Sequence, residues 1–260
     1  MSDILHTIAE YTRERIAAEK KRIPLSEMRA QAEAMERENF PLERALQGKE
    51  LSFICECKKA SPSKGLIAPD FPYVEIAKEY EEAGASAISV LTEPKWFLGS
   101  DEYLRAISQA VRTPCLKKDF TVDEYMIYQA KVYGAKAVLL ICSITEKSAL
   151  ADYLALCDAL GLSALVEAHS AQEVETALGA GARVIGVNNR NLKDFTIDTE
   201  NSRKLRSLVP QEVIFVSESG VRNESDVAQL KAIGVNAVLI GETLMRSADK
   251  KETLARFRRA

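Results

Sequence analysis

Two acids, two lysines and an amide (Glu56, Lys58, Lys118, Glu167 and Asn188) each stand at or just beyond the end of an apolar run. Strand periodicity is two, so Glu56 and Lys58 point to one side and Cys57 to the other. On a surface such a pair is an ordinary ion pair; inside a barrel it becomes a pair with mutually tuned proton affinities. Carboxylates facing ammonium groups divide proton donation and acceptance when their surroundings push the pKa values apart. Lys118 follows Lys117, which the same periodicity turns to the opposite face, and Asp119 can pair with either. A lysine Schiff base is open to the same residues. A metal is disfavoured, because lysines crowd the carboxylates that would have to hold it. Trp96, Phe97 and Phe120 are suited either to wall an aromatic substrate or to pack locally.

The elements that must position these residues follow a rhythm. Apolar runs fall at Leu51–Cys55, Ala85–Leu91, Cys115–Leu116, Ala137–Ile141, Ala164–Val166, Val184–Val187, Val213–Val216 and Ala237–Ile240. Between them lie charged, Ala- and Leu-rich segments with helical spacing, such as Pro72–Ala83, Val122–Tyr133, Ala171–Leu178 and Glu224–Ile233. Runs that are apolar throughout are the mark of parallel strands covered on both faces. Gly84, Gly134, Gly181 and Gly234 each precede a strand and predict left-handed helix C-caps. Eight strands at this spacing predict an α/β fold, a single (β/α)8 TIM barrel over residues 49–260. A doubly wound open sheet is the alternative, but no G-x-G-x-x-G follows any strand. Residues 1–48 lack strand signals; Ile4, Ile8 and Tyr11, then Met28, Ala32 and Met35, are spaced to share helical faces. With Pro24 between them, they predict a two-helix N-terminal extension packed on the barrel.

Barrel chemistry sits at the C-terminal strand ends. The polar residues gather there, while the run interiors are apolar. The seventh and eighth loops carry Ser219-Gly220 and Gly241-Glu242 ahead of helix starts, where exposed N–H groups can hold a phosphate. The totals narrow the function further. The chain has 260 residues, 47% hydrophobic and 28% charged, with net charge −3. No clustered basic excess marks a nucleic-acid footprint, and no apolar run is long enough to span a bilayer. The N-terminus is amphipathic rather than signal-like, so a cytoplasmic chain is expected. The five cysteines are scattered and only His6 and His169 are present, so no zinc spacing appears and free buried thiols are expected.

The segments ECKKASPSKG, LTEPKWFLGS, LKKDF, LVEAH, IGVNNRNL, SESG and LIGETLM, in this order and spacing, resemble the indole-3-glycerol-phosphate synthase family. The resemblance runs from about residue 50 to 246, and the two expected N-terminal helices match the extension that this family carries. It implies a carboxy-lyase of tryptophan biosynthesis, acting without cofactor or metal. The substrate is 1-(2-carboxyphenylamino)-1-deoxyribulose 5-phosphate, which undergoes ring closure, decarboxylation and dehydration to indole-3-glycerol phosphate. Lys118 falls at the position of the general acid for ring closure. Glu56, Lys58 and Glu167 share the later proton transfers, and Asn188 and Ser219 complete the catalytic set. Asn188 and Glu218 would hold substrate hydroxyls. Ser61, Ser219, Gly220, Gly241 and Glu242 fall at the phosphate positions, the last through its backbone N–H. Phe97, Phe120 and Arg190 complete the binding set, Arg190 facing outward or bracing its loop. The implied partners are a small phosphorylated substrate and other tryptophan-pathway enzymes, with no nucleic acid or membrane, in a monomer or weak homodimer. Another sugar-phosphate barrel enzyme, an isomerase or aldolase, and a non-catalytic phosphate-binding barrel are the competing readings.

Overall fold

Eight parallel strands close into a barrel. The computed structural model describes residues 4–191 and 195–260. The strands are β1 (Ser52–Cys57), β2 (Ala87–Leu91), β3 (Cys115–Lys118), β4 (Ala137–Ile141), β5 (Ser163–Ala168), β6 (Val184–Asn188), β7 (Ile214–Glu218) and β8 (Ala237–Ile240). Each pairs in parallel with its sequence neighbours, and β1 pairs with both β2 and β8, closing the ring. Helices run between them, among them α4 (Tyr73–Glu82), α5 (Asp101–Ala110), α6 (Glu124–Val132), α7 (Lys147–Leu160), α8 (Ala171–Gly179), α9 (Glu200–Arg206) and α10 (Glu224–Ala232). The chain ends in α11 (Glu242–Met245) and α12 (Lys250–Arg259). Gly84, Gly134, Gly181 and Gly234 all have positive φ, as the expected helix caps require.

The expected strands all form, but several run further toward the mouth than their apolar runs. β1 reaches Cys57, β3 reaches Lys118 and β5 reaches Ala168. Glu56, Lys117, Lys118 and Glu167 are therefore held on strands, whose pleat fixes their direction, rather than on loops. Alternate residues build two cores. Ile54, Ala87, Leu116, Leu139, Leu165, Val184, Val216 and Leu239 fill the barrel interior. Cys55, Ile88, Val138, Val166, Ile185, Phe215 and Val238 face outward under the helices. All five cysteines are buried and free.

Among the described residues three helices, not two, precede the barrel: α1 (Ile4–Arg22), α2 (Leu25–Glu33) and α3 (Pro41–Leu46). α3 buries Leu42 and Leu46 with the interior residues, and Ala45 O accepts from Ser52 Oγ at the start of β1. It plugs the end opposite the mouth. Ile8, Met28 and Ala32 are buried as their spacing predicts; Met35 lies past the end of α2 and is exposed, a correction to the expected shared face.

α1 crosses toward the mouth and is docked by polar contacts. Arg15 Nη2 donates to Asp119 Oδ2 at 2.8 Å, Lys20 Nζ to Asp123 Oδ2 at 2.7 Å, and Gln129 Nε2 to Glu19 Oε2 at 2.6 Å. Leu5 and Ile8 reach the interior cluster from this side.

Candidate active site

A cavity of about 400 Å³ opens at the C-terminal ends of the strands. This lies within the roughly 300–1,000 Å³ usual for small-molecule sites. Three chemically distinct regions line it. Glu56, Lys58, Lys118, Glu167, Asn188 and Glu218 line its acid–base region. Phe97, Phe120, Leu139 and Ile141 from the strands and loops, with Ile4, Leu5 and Ile8 of α1, supply an apolar wall. Ser61, Lys64, Ser219, Gly220, Arg222, Gly241, Glu242 and Arg246 supply a polar rim. All fourteen residues expected at a site from the sequence line this one cavity, Arg190 included.

The floor is built by parity. Glu56 and Lys58 share the inward side of β1, and Lys58 Nζ donates to Glu56 Oε1 at 2.6 Å. Ser89, inward on β2 opposite Glu56, donates to Oε2 at 3.4 Å. Burial works to raise the Glu56 pKa, but Lys58, Lys118 and these hydrogen bonds outweigh it and leave it below the usual carboxylate range. Lys118 Nζ lies 3.6 Å from both Glu167 Oε2 and Glu218 Oε2. Burial works to lower the pKa of this ammonium; the carboxylates of Glu218, Glu167 and Glu56 outweigh it and hold the pKa above the ordinary lysine value.

The two carboxylates that share Lys118 are driven apart. Burial raises both. Lys118, His169 and Asn188 offset it at Glu167, whose pKa falls well below the usual range. At Glu218 Lys118 opposes burial, while Glu167 and Glu56 add like-charge repulsion, so its pKa is pushed up toward neutrality. The two shifts run in opposite directions, favouring charge on Glu167 and a proton on Glu218. Oε1 of each is buried with no hydrogen-bond partner: that of Glu167 faces the His169 ring at 3.5 Å, and that of Glu218 lies against Gly186.

Two glycines make this crowding possible. A Cβ on Gly186, the inward residue of β6 between Val184 and Asn188, would overlap Glu218 Oε1. One on Gly241 would overlap the Glu56–Lys58 pair. The second position, expected from the sequence to contact phosphate, is a clearance for the Glu56–Lys58 pair.

The loops are braced individually. Buried Glu93 accepts the backbone N–H groups of Lys95, Trp96 and Phe97 at 2.9, 2.7 and 2.9 Å, which curls the β2 loop and aims Phe97 at Phe120, their rings 6.1 Å apart. Trp96 turns the other way and packs edge-on against Tyr11 of α1 at 5.4 Å, so it serves docking rather than the cavity wall. Asn188 Oδ1 accepts from the backbone N–H of Arg190, whose Nη1 donates to Phe195 O at 3.4 Å; Arg190 both braces its loop and lines the cavity. Ser219 and Gly220 are consecutive positive-φ residues, and Asn189 Nδ2 donates to Ser219 O at 3.0 Å. Ser61 lies in a short hairpin, Ala60–Ser61 with Gly65–Leu66, that overhangs the rim. The Glu242 side chain is drawn into ion pairs with Arg246 at 3.2 Å and Lys64 at 3.6 Å.

Sequence reasoning passed over His169, Ser89, Gly186 and the α1 residues. The first three share inward parity with residues already singled out, and that parity was the available signal. Nothing in the spacing of α1 says which way it lies across the mouth.

Comparison with known proteins decides the family. Residues 5–257 match the family profile described as indole-3-glycerol phosphate synthase. The chain belongs to the indole-3-glycerol phosphate synthase family. The enzyme of that name from Ruminiclostridium cellulolyticum is 53% identical over 256 residues, covering 98% of each chain. That from Lachnoclostridium phytofermentans is 51% identical, covering 95% of this chain and 96% of its own. Like the family, the chain is a lyase of tryptophan biosynthesis that joins ring closure to decarboxylation. Among solved structures, a 3-hexulose-6-phosphate synthase aligns with a TM-score of 0.64 at 16% identity, covering 80% of this chain and 99% of that one. A thiamine phosphate pyrophosphorylase from Pyrococcus furiosus aligns at 0.61 and 18%, covering 80% and 94%. These two share the barrel fold alone. Among the described residues no helix is long and apolar enough to cross a membrane.

Proposed function

We propose that this cavity converts 1-(2-carboxyphenylamino)-1-deoxyribulose 5-phosphate to indole-3-glycerol phosphate through the side chains on its floor. The aromatic carbon bearing the carboxylate attacks the ribulose carbonyl carbon, and Lys118 gives its proton to the carbonyl oxygen as the bond forms. The carboxylate then sits on a tetrahedral carbon, and its loss as CO2 returns the electron pair to the ring. Dehydration follows: an acid protonates the departing hydroxyl, water leaves, and a base removes a proton from the adjacent ring carbon (the former ribulose C1), which forms the indole double bond while the nitrogen keeps its proton. Lys58, held by Glu56, and protonated Glu218 are placed to donate; ionised Glu167 is placed to accept. Asn188 and Glu218 orient the substrate hydroxyls beside Ser219.

The observation that carries the reading is Lys118 Nζ at 3.6 Å from two carboxylates, with the pKa of Glu167 lowered and that of Glu218 raised. Such a set offers a donor and an acceptor around one reacting atom. Phe97 and Phe120 face the substrate's aromatic ring, and Ser61, Ser219, Gly220, Gly241 and Glu242, with Lys64, Arg222 and Arg246, take its phosphate. Residues 1–48 serve as a helical extension of the catalytic barrel formed by residues 49–260. The setting we infer is cytoplasmic, in a monomer or weak homodimer beside other enzymes of the same pathway.

The test is indole fluorescence on adding the carboxyphenylamino substrate to the purified chain. Appearance of the signal with one CO2 released per product is expected. A folded chain that gives neither overturns the reading. A borohydride-trapped adduct on Lys58 or Lys118 would instead point to Schiff-base chemistry.

A further inference from the structure

His169 touches the acid–base cluster without lining the cavity. It follows β5 with the inward parity of Glu167, and its ring Nε2 lies 3.5 Å from Glu167 Oε1, an ion-pair distance rather than a hydrogen bond. The other oxygen of that carboxylate faces Lys118. Both Nε2 and Oε1 are buried without a hydrogen-bond partner. The backbone of His169 is pinned on two sides: its N–H donates to Glu173 Oε2 of α8 at 2.7 Å, and its carbonyl accepts from Asn201 Nδ2 of α9 at 3.2 Å. These two bonds fix the backbone from which the ring projects toward Glu167.

We propose that His169 is a positioning residue that holds Glu167 by Oε1 and makes the proton affinity of that carboxylate follow pH near neutrality. The inference rests on the reading of Glu167 as a proton acceptor. With the imidazolium present, Glu167 lies between two cations and is a weak base. With the ring neutral only Lys118 remains, and Glu167 takes a proton more readily. The charged groups facing the ring are Glu167 on β5, Glu173 on α8 and Glu218 on β7, with Lys118 beyond Glu167. Burial opposes the ring's charge, but these three carboxylates outweigh it and raise its pKa above the usual value. The switch thus operates above the ordinary histidine pKa of about 6.5.

Two experiments test this, and the chain's two histidines keep both readable. In the first, ring C–H resonances are titrated in the wild type and in Glu167→Gln, with His6→Gln to assign them. The His169 midpoint is expected to fall in Glu167→Gln; an unmoved midpoint overturns the contact. In the second, kcat is followed against pH for wild type and His169→Asn, with circular dichroism confirming fold. The wild-type kcat should climb about tenfold through the His169 midpoint, the equivalent of one pKa unit at Glu167, and His169→Asn should be flat there with KM within about twofold. A variant that keeps the same limb at the same pH overturns the proposal. If the wild type makes no indole at all, the functional reading fails, while the ring titration still reports on the contact.

Discussion

Lys117 and Lys118 are adjacent, both on β3, and the barrel wall separates their fates. Lys117 faces outward into a closed network: it pairs with Asp101 at the start of α5 and lies 3.7 Å from Asp119. Asp119 in turn accepts from Arg15 and Thr92 at 2.8 Å each and from the Phe120 N–H at 2.8 Å. Lys118 faces inward, where its two carboxylates stand off at 3.6 Å and each keeps an oxygen unpaired. The outer charges pair closely and hold α1 to the barrel, although Arg15 Nε keeps no partner. The inner charges stand further apart, and Glu167 and Glu218 each keep a buried oxygen without a hydrogen bond, an arrangement that costs stability.

The comparison can be broken most severely from the inside. Replacing Glu218 by Gln removes the proposed proton carrier and should lower kcat by about 10²–10³-fold. Because the Glu218 pKa is raised, the acid form is lost as pH rises through it; wild-type kcat should therefore fall on the alkaline side and the variant should lack that limb. A limb that persists would move it to another group. On the outside, Arg15→Ala leaves Asp119 buried with one cation fewer and should cost roughly 3 kcal/mol in denaturant unfolding. The sign with pH follows: the Asp119 pKa is lowered, since Arg15 and Lys117 outweigh burial, so its contribution is present above the unfolded pKa of about 3.9 and is lost as pH falls through the folded value. The wild type and Arg15→Ala should converge in acid; a constant gap would mean that lost packing, not charge, is responsible.

Gly186→Ala sharpens the comparison by moving an inner charge without removing it. Its Cβ must displace the Glu218 carboxylate, and a shift of about 1 Å is worth on the order of a hundredfold in kcat. An unchanged kcat would show that the position of Glu218 is unimportant. The smallest effect belongs to Trp96→Ala, which loses the edge-on contact with Tyr11 and the Lys95 ammonium 4.7 Å above its ring. About 1–2 kcal/mol of stability should go, with kcat within a few-fold; a large fall in kcat would bring Trp96 into the site.

Much of this was legible in the residue pattern. Continuous apolar runs announce parallel strands because both faces are covered, and the glycine before several of them announces a left-handed cap. Period two separates Lys117 from Lys118 and groups Glu56 with Lys58, and both assignments hold in the structure. What was hidden depends on three dimensions. α3 is too short, at six residues, to display a period, and its role as a plug comes from where Leu42 and Leu46 land. The clearance at Gly186 depends on a side chain from the next strand. The split between Glu167 and Glu218 depends on which of them His169 and Asn188 reach. Trp96, by its type alone, suited the wall as well as Phe97 did; the N–H groups gathered by Glu93 decide that they point apart.

The most direct test of the account is a side-by-side measurement of kcat and unfolding stability for Lys117→Met and Lys118→Met. Lys118→Met should lose about 10²–10⁴-fold in kcat per folded molecule, beyond any stability lost through the stranded Glu167 and Glu218. Lys117→Met should lose stability, through the stranded Asp101 and Asp119, yet keep kcat within a few-fold per folded molecule. A Lys118→Met enzyme at wild-type rate, or a Lys117→Met enzyme that folds normally and fails to turn over, would contradict the assignment of chemistry to the inner face.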